Sequence, residues 1–197
     1  MTEETVLGVF FENYNGNNLN EALMASVEQI MLTIVREGTE KPESLPEIVG
    51  TIVVGKSHVA LFARMTDGTR PVAPMHYLTY FDQIRKAMTD VIRYTRDNLE
   101  AMDPWFRDQF PKEDLEMMSS DMASAIERSS ERPANVRAFH SGELKFYEEF
   151  FNAALIGIIG MEGFQKYAQE FNRCANILRQ YQIECRAFKS KVETKES

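Results

Sequence analysis

Phe164, Tyr167, Phe171, Cys174, Leu178, Tyr181, Cys185 and Phe188 recur at alternating steps of three and four without a miss. That spacing keeps them on one face of an α-helix, whereas a strand would scatter them over both faces. At 1.5 Å per residue the stripe is ~36 Å long, too apolar to leave in water. The fold must therefore supply a receptor for it. Tyr77, Phe81, Ile84, Met88, Val91, Thr95 and Leu99 make a second stripe of similar length and spacing, so the two can bury each other within one chain. A second copy of the chain is the alternative receptor. Aromatics at several seam positions suit a bundle better than a two-stranded coiled coil, which prefers Ile, Val and Leu. Packing within the chain is therefore expected for most of the stripe, with self-association through the apolar surface that remains.

Helical spacing recurs elsewhere. Leu23, Val27, Ile30 and Ile34 predict a helix over Leu19–Glu37, followed by Gly38. Leu115, Met118, Met122 and Ala125 predict a shorter helix, after an aromatic connector of Trp105, Phe106 and Phe110. Leu144, Tyr147, Phe151, Ala154, Ile158 and Met161 then run into the C-terminal stripe, but the step from Met161 to Phe164 is three where four is due. Gly157, Gly160 and Gly163 surround that slip, so a break or kink is expected there.

The first 75 residues read differently. Thr5–Glu12 is β-branched and aromatic and predicts a strand or extended arm. Ile48–Val54, His58–Met65 and Thr69–Ala73 are short apolar runs punctuated by Gly55-Lys56-Ser57 and Asp67-Gly68, which predicts a small antiparallel sheet. The expected fold is thus α+β and predominantly helical, a small N-terminal antiparallel sheet with a bundle of four to five helices. Residues 1–75 would form the small α/β region and 76–197 the helical bundle, within one compact domain.

Gly50-Thr-Ile-Val-Val-Gly55-Lys56-Ser57 matches the phosphate-binding pattern G-x-x-x-x-G-K-[ST]. In that motif backbone amides cradle phosphates, Lys meets the β/γ oxygens and Ser ligates Mg²⁺. Its interior here is Thr-Ile-Val-Val, which resists the curled backbone of an anion nest. No helix is expected to follow it. A hairpin turning at Gly55-Lys56-Ser57 is the better expectation, and it leaves Lys56 exposed.

Other chemistry is sparse. His58, His76 and His140 lie far apart, without the close spacing of a zinc site. Cys174 and Cys185 share the seam about 16 Å apart along a helix, too far for a disulfide between them, and are expected to be buried thiols. Glu113, Asp114, Glu116, Glu148 and Glu149 lack the Glu-x-x-His motif of di-metal bundles. Arg85, Arg93 and Arg96, with Lys86 nearby, form the densest basic cluster and could meet an anionic partner surface. Asp82, Asp90 and Asp97 balance them on a mixed-charge face.

Charge and composition narrow the classes. With 22 Lys+Arg against 30 Asp+Glu the net charge is −8, which disfavours general nucleic-acid binding. The longest uncharged apolar run, Ala153–Met161, covers about half of the ~20 residues needed to span a bilayer, so no membrane partner is expected. Two Cys make no disulfide framework and suit a reducing, cytoplasmic compartment. Eleven Met and 13 Phe suit adaptable apolar surfaces.

The expected function is protein–protein interaction or assembly, non-enzymatic, with another protein or a second copy as partner. Arg85, Arg93, Arg96, Phe164, Tyr167, Phe171, Leu178, Tyr181 and Phe188 are the candidate interaction residues. No catalytic residue, cofactor or metal site is expected under this reading. The alternative is a P-loop-like nucleotide-binding enzyme using Gly50, Gly55, Lys56 and Ser57.

Overall fold

A computed structural model describes residues 1–14, 19–38, 47–66, 74–129 and 136–193. Among these residues there are seven α-helices and no strand. They are α1 (Glu3–Asn13), α2 (Leu19–Gly38), α3 (Glu47–Thr66), α4 (Pro74–Asp97), α5 (Pro104–Gln109), α6 (Lys112–Ser129) and α7 (Val136–Glu193), with a short 3₁₀ turn at Leu99–Ala101. The chain divides into two compact units, one of residues 1–40 and 165–197, the other of residues 41–164. The cuts fall at 40/41 and 164/165.

The expected antiparallel sheet is overturned. Thr5–Glu12 lies inside α1, where Val6 and Phe10 are buried four residues apart, one helical turn. Thr2 caps that helix, its hydroxyl accepting from the Thr5 amide at 3.2 Å, and Glu3 and Glu4 occupy the first turn. Ile48–Val54 and His58–Met65 are successive parts of α3. Val49, Ile52, Val53 and Val59 are buried along it at helical spacing. The third expected strand, Thr69–Ala73, and the Asp67-Gly68 turn lie outside the described residues.

In the first unit α1 packs on α2, where Leu23, Ile30, Met31, Ile34 and Val35 are buried. The end of α1 also meets the C-terminal part of α7. The rings of Phe10 and Phe11 stand edge-on to Tyr181, with centroids 5.3 and 5.5 Å away. Within this unit, then, part of the C-terminal stripe finds its receptor in α1.

In the second unit α4 lies against both α3 and α6. The core joins Ile52 and Val59 of α3, Ile84, Met88 and Val91 of α4, Leu115 and Met122 of α6, and Tyr147, Phe150, Phe151 and Ala154 of α7. The α4 seam expected from Ile84, Met88, Val91 and Thr95 is buried. The side chains of Tyr77 and Phe81 lie outside those described. Phe106 of α5 stacks on Phe110 and meets Phe150 edge-on. Asp103 caps α5, its Oδ1 accepting from the Trp105 amide at 2.9 Å.

The expected break in α7 is present at Gly160, whose φ of 75° and ψ of 166° leave the helical region. Only glycine visits such a conformation at low cost. In the turn before it, the Gly157 carbonyl accepts from the Asp103 amide at 2.8 Å. A Cβ on Gly157 would lie 3.0 Å from Phe106 Cγ and 3.1 Å from Met102 Sδ. Two of the three glycines flagged by the slipped spacing thus have distinct duties: Gly160 turns the chain, and Gly157 admits α5.

Candidate interaction surfaces

The Gly50–Ser57 segment lies wholly within α3. In a helix interior each amide points along the axis to the carbonyl four residues back, so the segment does not curl its amides around a phosphate. The expected hairpin turn is likewise replaced by helix. A different cause accounts for the second glycine of the string. A Cβ on Gly55 would lie 2.6 Å from Phe151 Cζ and 3.2 Å from the Ala87 Cβ. At Gly55 α3 comes close to both Ala87 of α4 and Phe151 of α7. Lys56, expected to be exposed, is half-buried, and burial lowers its amine to about 8, partly opposed by the Glu148 carboxylate. The Ser57 side chain lies outside those described.

Gly50 has the opposite surroundings. A Cβ there would meet nothing within 4 Å, because Gly50 faces a groove between α3 and α4. The groove has a volume of about 550 Å³. From α3, Glu47, Gly50, Thr51, Val54 and His58 line it at steps of three, one, three and four, one face of the helix. From α4, Gln83, Lys86, Ala87 and Asp90 do the same. Val54, 39% exposed, lines the groove together with the bare backbone at Gly50 and the small side chain of Ala87. Burial lowers the His58 pKa, which favours neutral imidazole in the groove wall. The groove thus has a small-residue apolar floor and a rim of both charges.

A second exposed apolar feature belongs to the same unit. Phe106, Phe110, Phe150 and Phe146 form a file of rings with successive centroids 5.0, 5.2 and 6.3 Å apart. The first member is fully buried and the last is 40% exposed.

The basic cluster does not form one open surface. Arg85 is buried, Arg93 is exposed, and Arg96 donates from Nε to Asp97 at 2.8 Å. On the C-terminal stripe Tyr167, Cys174 and Leu178 are buried, whereas Phe164, Phe171, Tyr181 and Cys185 are half-buried. Gln182 is buried where the heptad favoured its neighbour Tyr181. The Phe188 side chain lies outside those described. Cys174 is buried and its thiol pKa is raised by burial, but Cys185 is only partly covered, a correction to the expectation for both.

Pattern reading missed a cluster that fixes the chain's first residues. The Met1 ammonium donates to Glu170 Oε1 at 2.8 Å, and Arg173 donates from Nε to Glu170 Oε2 at 3.0 Å. Arg173 Nη2 also donates to the Met1 carbonyl. Arg173 first, and the ammonium next, pull the Glu170 carboxyl down to about 2. Only the i, i+3 spacing of Glu170 and Arg173 is visible in sequence.

Among the described residues no group of three or more His, Cys, Asp or Glu is placed to hold a metal ion, and no helix is long and apolar enough to cross a membrane. No family model, curated protein or solved structure matches the chain.

Proposed function

We propose that this chain is a protein-binding component of an assembly or regulatory complex, and that it seats a partner's helix in the α3–α4 groove. The observation that carries this reading is the groove itself. A floor of Gly50, Thr51 and Ala87 lets another backbone approach closely, and Val54 offers exposed apolar area beside it. Glu47, Lys86 and Asp90 supply a polar rim around that centre. An apolar centre within a polar rim is the usual anatomy of a protein interface, and helical faces docked in grooves are a recurring mode of recognition. The exposed end of the aromatic file at Phe146 supports the same class of function. A cytoplasmic, reducing setting accords with the two free thiols, and the net charge of −8 argues for protein rather than nucleic acid as the partner.

Site-specific photo-crosslinking in cells tests this reading. A photoreactive side chain at Thr51 should give a discrete crosslinked species containing a second polypeptide. The same probe at exposed Arg107, away from the groove, should not. Equal labelling from both positions, or none from Thr51, would overturn the proposal.

A further inference from the structure

Resting on that reading of the groove, we infer that its occupant is a second copy of this chain, related by a two-fold axis that crosses α4 at the level of Met88. The argument begins with the symmetry of the rim. Lys86 and Asp90 lie two residues to either side of residue 88, both line the groove, and they carry opposite charge. A two-fold contact is self-complementary, so residue i meets residue j and j meets i. An axis at residue 88 sets Lys86 of each copy against Asp90 of the other, and one face thereby supplies both halves of two ion pairs. A partner of one dominant charge would instead leave either Lys86 or Asp90 facing a like charge.

The next position out on each side obeys the same symmetry. Gln83 lines the groove five residues before the axis, and exposed Arg93 stands five residues beyond it. They face each other across the axis without repulsion. On α3 the bare surface at Gly50 and the open space around it give room for the second copy, and Val54 supplies apolar contact. Met88 itself is fully buried in the core, so the axis passes over a rigid stretch of helix rather than a loop.

The test is charge-swap complementation on the full chain, read by sedimentation equilibrium over a concentration series. Wild type should move from the mass of one chain toward that of two. Lys86→Glu places Glu against Asp90 twice, and Asp90→Lys places Lys against Lys86 twice. Each variant alone should therefore weaken dimerisation at least tenfold. In an equimolar mixture of the two variants both pairs are again of opposite charge. One sets the introduced Glu of the first variant against the introduced Lys of the second, and the other keeps native Asp90 against native Lys86. The mixture should recover most of the wild-type affinity as a heterodimer. Gln83→Glu, an exposed and undemanding change, should tighten the dimer severalfold by pairing with Arg93. It covers the case in which a reversal fails to fold, which circular dichroism would reveal.

Wild type that stays monomeric at every concentration overturns the inference. So do a dimer indifferent to both reversals and a mixture that shows no recovery. If the chain is monomeric while the Thr51 probe still captures a different polypeptide, this inference falls and the protein-binding reading stands. If Thr51 captures nothing, both fall.

Discussion

Gly50 and Gly55 are five residues apart on one helix, and their surroundings demand opposite outcomes from the same substitution. At Gly50 an added methyl meets nothing within 4 Å, so Gly50→Ala should raise stability by roughly 0.5–1 kcal/mol through helix propensity alone. At Gly55 the methyl would collide with the Phe151 ring, itself fully buried. Propensity still favours alanine there, but overpacking a dense core costs typically about 1–3 kcal/mol, so Gly55→Ala should lower stability. Urea denaturation of both variants decides it, and a rise for Gly55→Ala would mean that Phe151 can move aside. The contrast also explains how a phosphate-binding string arises without a phosphate loop. Its second glycine answers a packing need that lies far off in sequence, at Ala87 and Phe151, where no local pattern could reveal it.

At the scale of elements, long amphipathic stretches were legible and short apolar runs were not. The α4 seam and the interruption of α7 followed from spacing alone, because several turns of alternating threes and fours leave little ambiguity. Thr5–Glu12 and Ile48–Val54 were misread because a run of about eight residues rich in Val, Ile and Phe fits either period. Helix propensity separates those residues from good helix formers by only a few tenths of a kcal/mol each, and burial of one face outweighs it. Signals for α1 were nevertheless present in Thr2 at the cap and Glu3 and Glu4 in the first turn. The candidate groove was less legible still, since its walls come from two helices and its floor is defined by what Gly50 and Ala87 lack. The tie between the start of α1 and α7 makes its own prediction. Glu170 titrates at about 2 in the folded chain against an ordinary value of 4.5. Its contribution is thus fully present above about pH 4.5 and is lost as pH falls through 2. A partly exposed pair contributes about 1 kcal/mol or less. Glu170→Gln should therefore cost up to that amount at pH 7 and only a small fraction of it at pH 2. Urea melts at the two pH values would expose an error if the difference persisted in acid.

The whole molecule combines a continuous unit with a discontinuous one, and this asymmetry governs what can fold alone. The compact units join residues 1–40 to residues 165–197 and leave 41–164 as an uninterrupted stretch between them. Closure of that kind depends on contacts such as Phe10 with Tyr181, which no window of sequence contains. Among the described residues, the core cluster of the continuous unit runs from Ile52 through Val91, Phe106 and Leu115 to Phe151 and Ala154, all of them within 41–164. The bond from the Asp103 amide to the Gly157 carbonyl, which ties α5 to α7, is also internal to it. A segment of about 120 residues is large enough to bury most of its apolar surface. A fragment of residues 41–164 should therefore be strongly helical by circular dichroism and unfold in urea with one cooperative transition. Residues 1–40 alone should not, because α1 and α2 would lose the α7 face on which Phe10 and Phe11 meet Tyr181. A short helical pair without that face lies below the size at which a core sustains itself. A gradual, non-cooperative melt of the 41–164 fragment would show that its core needs the other unit, and the division into two units would then be geometric rather than energetic.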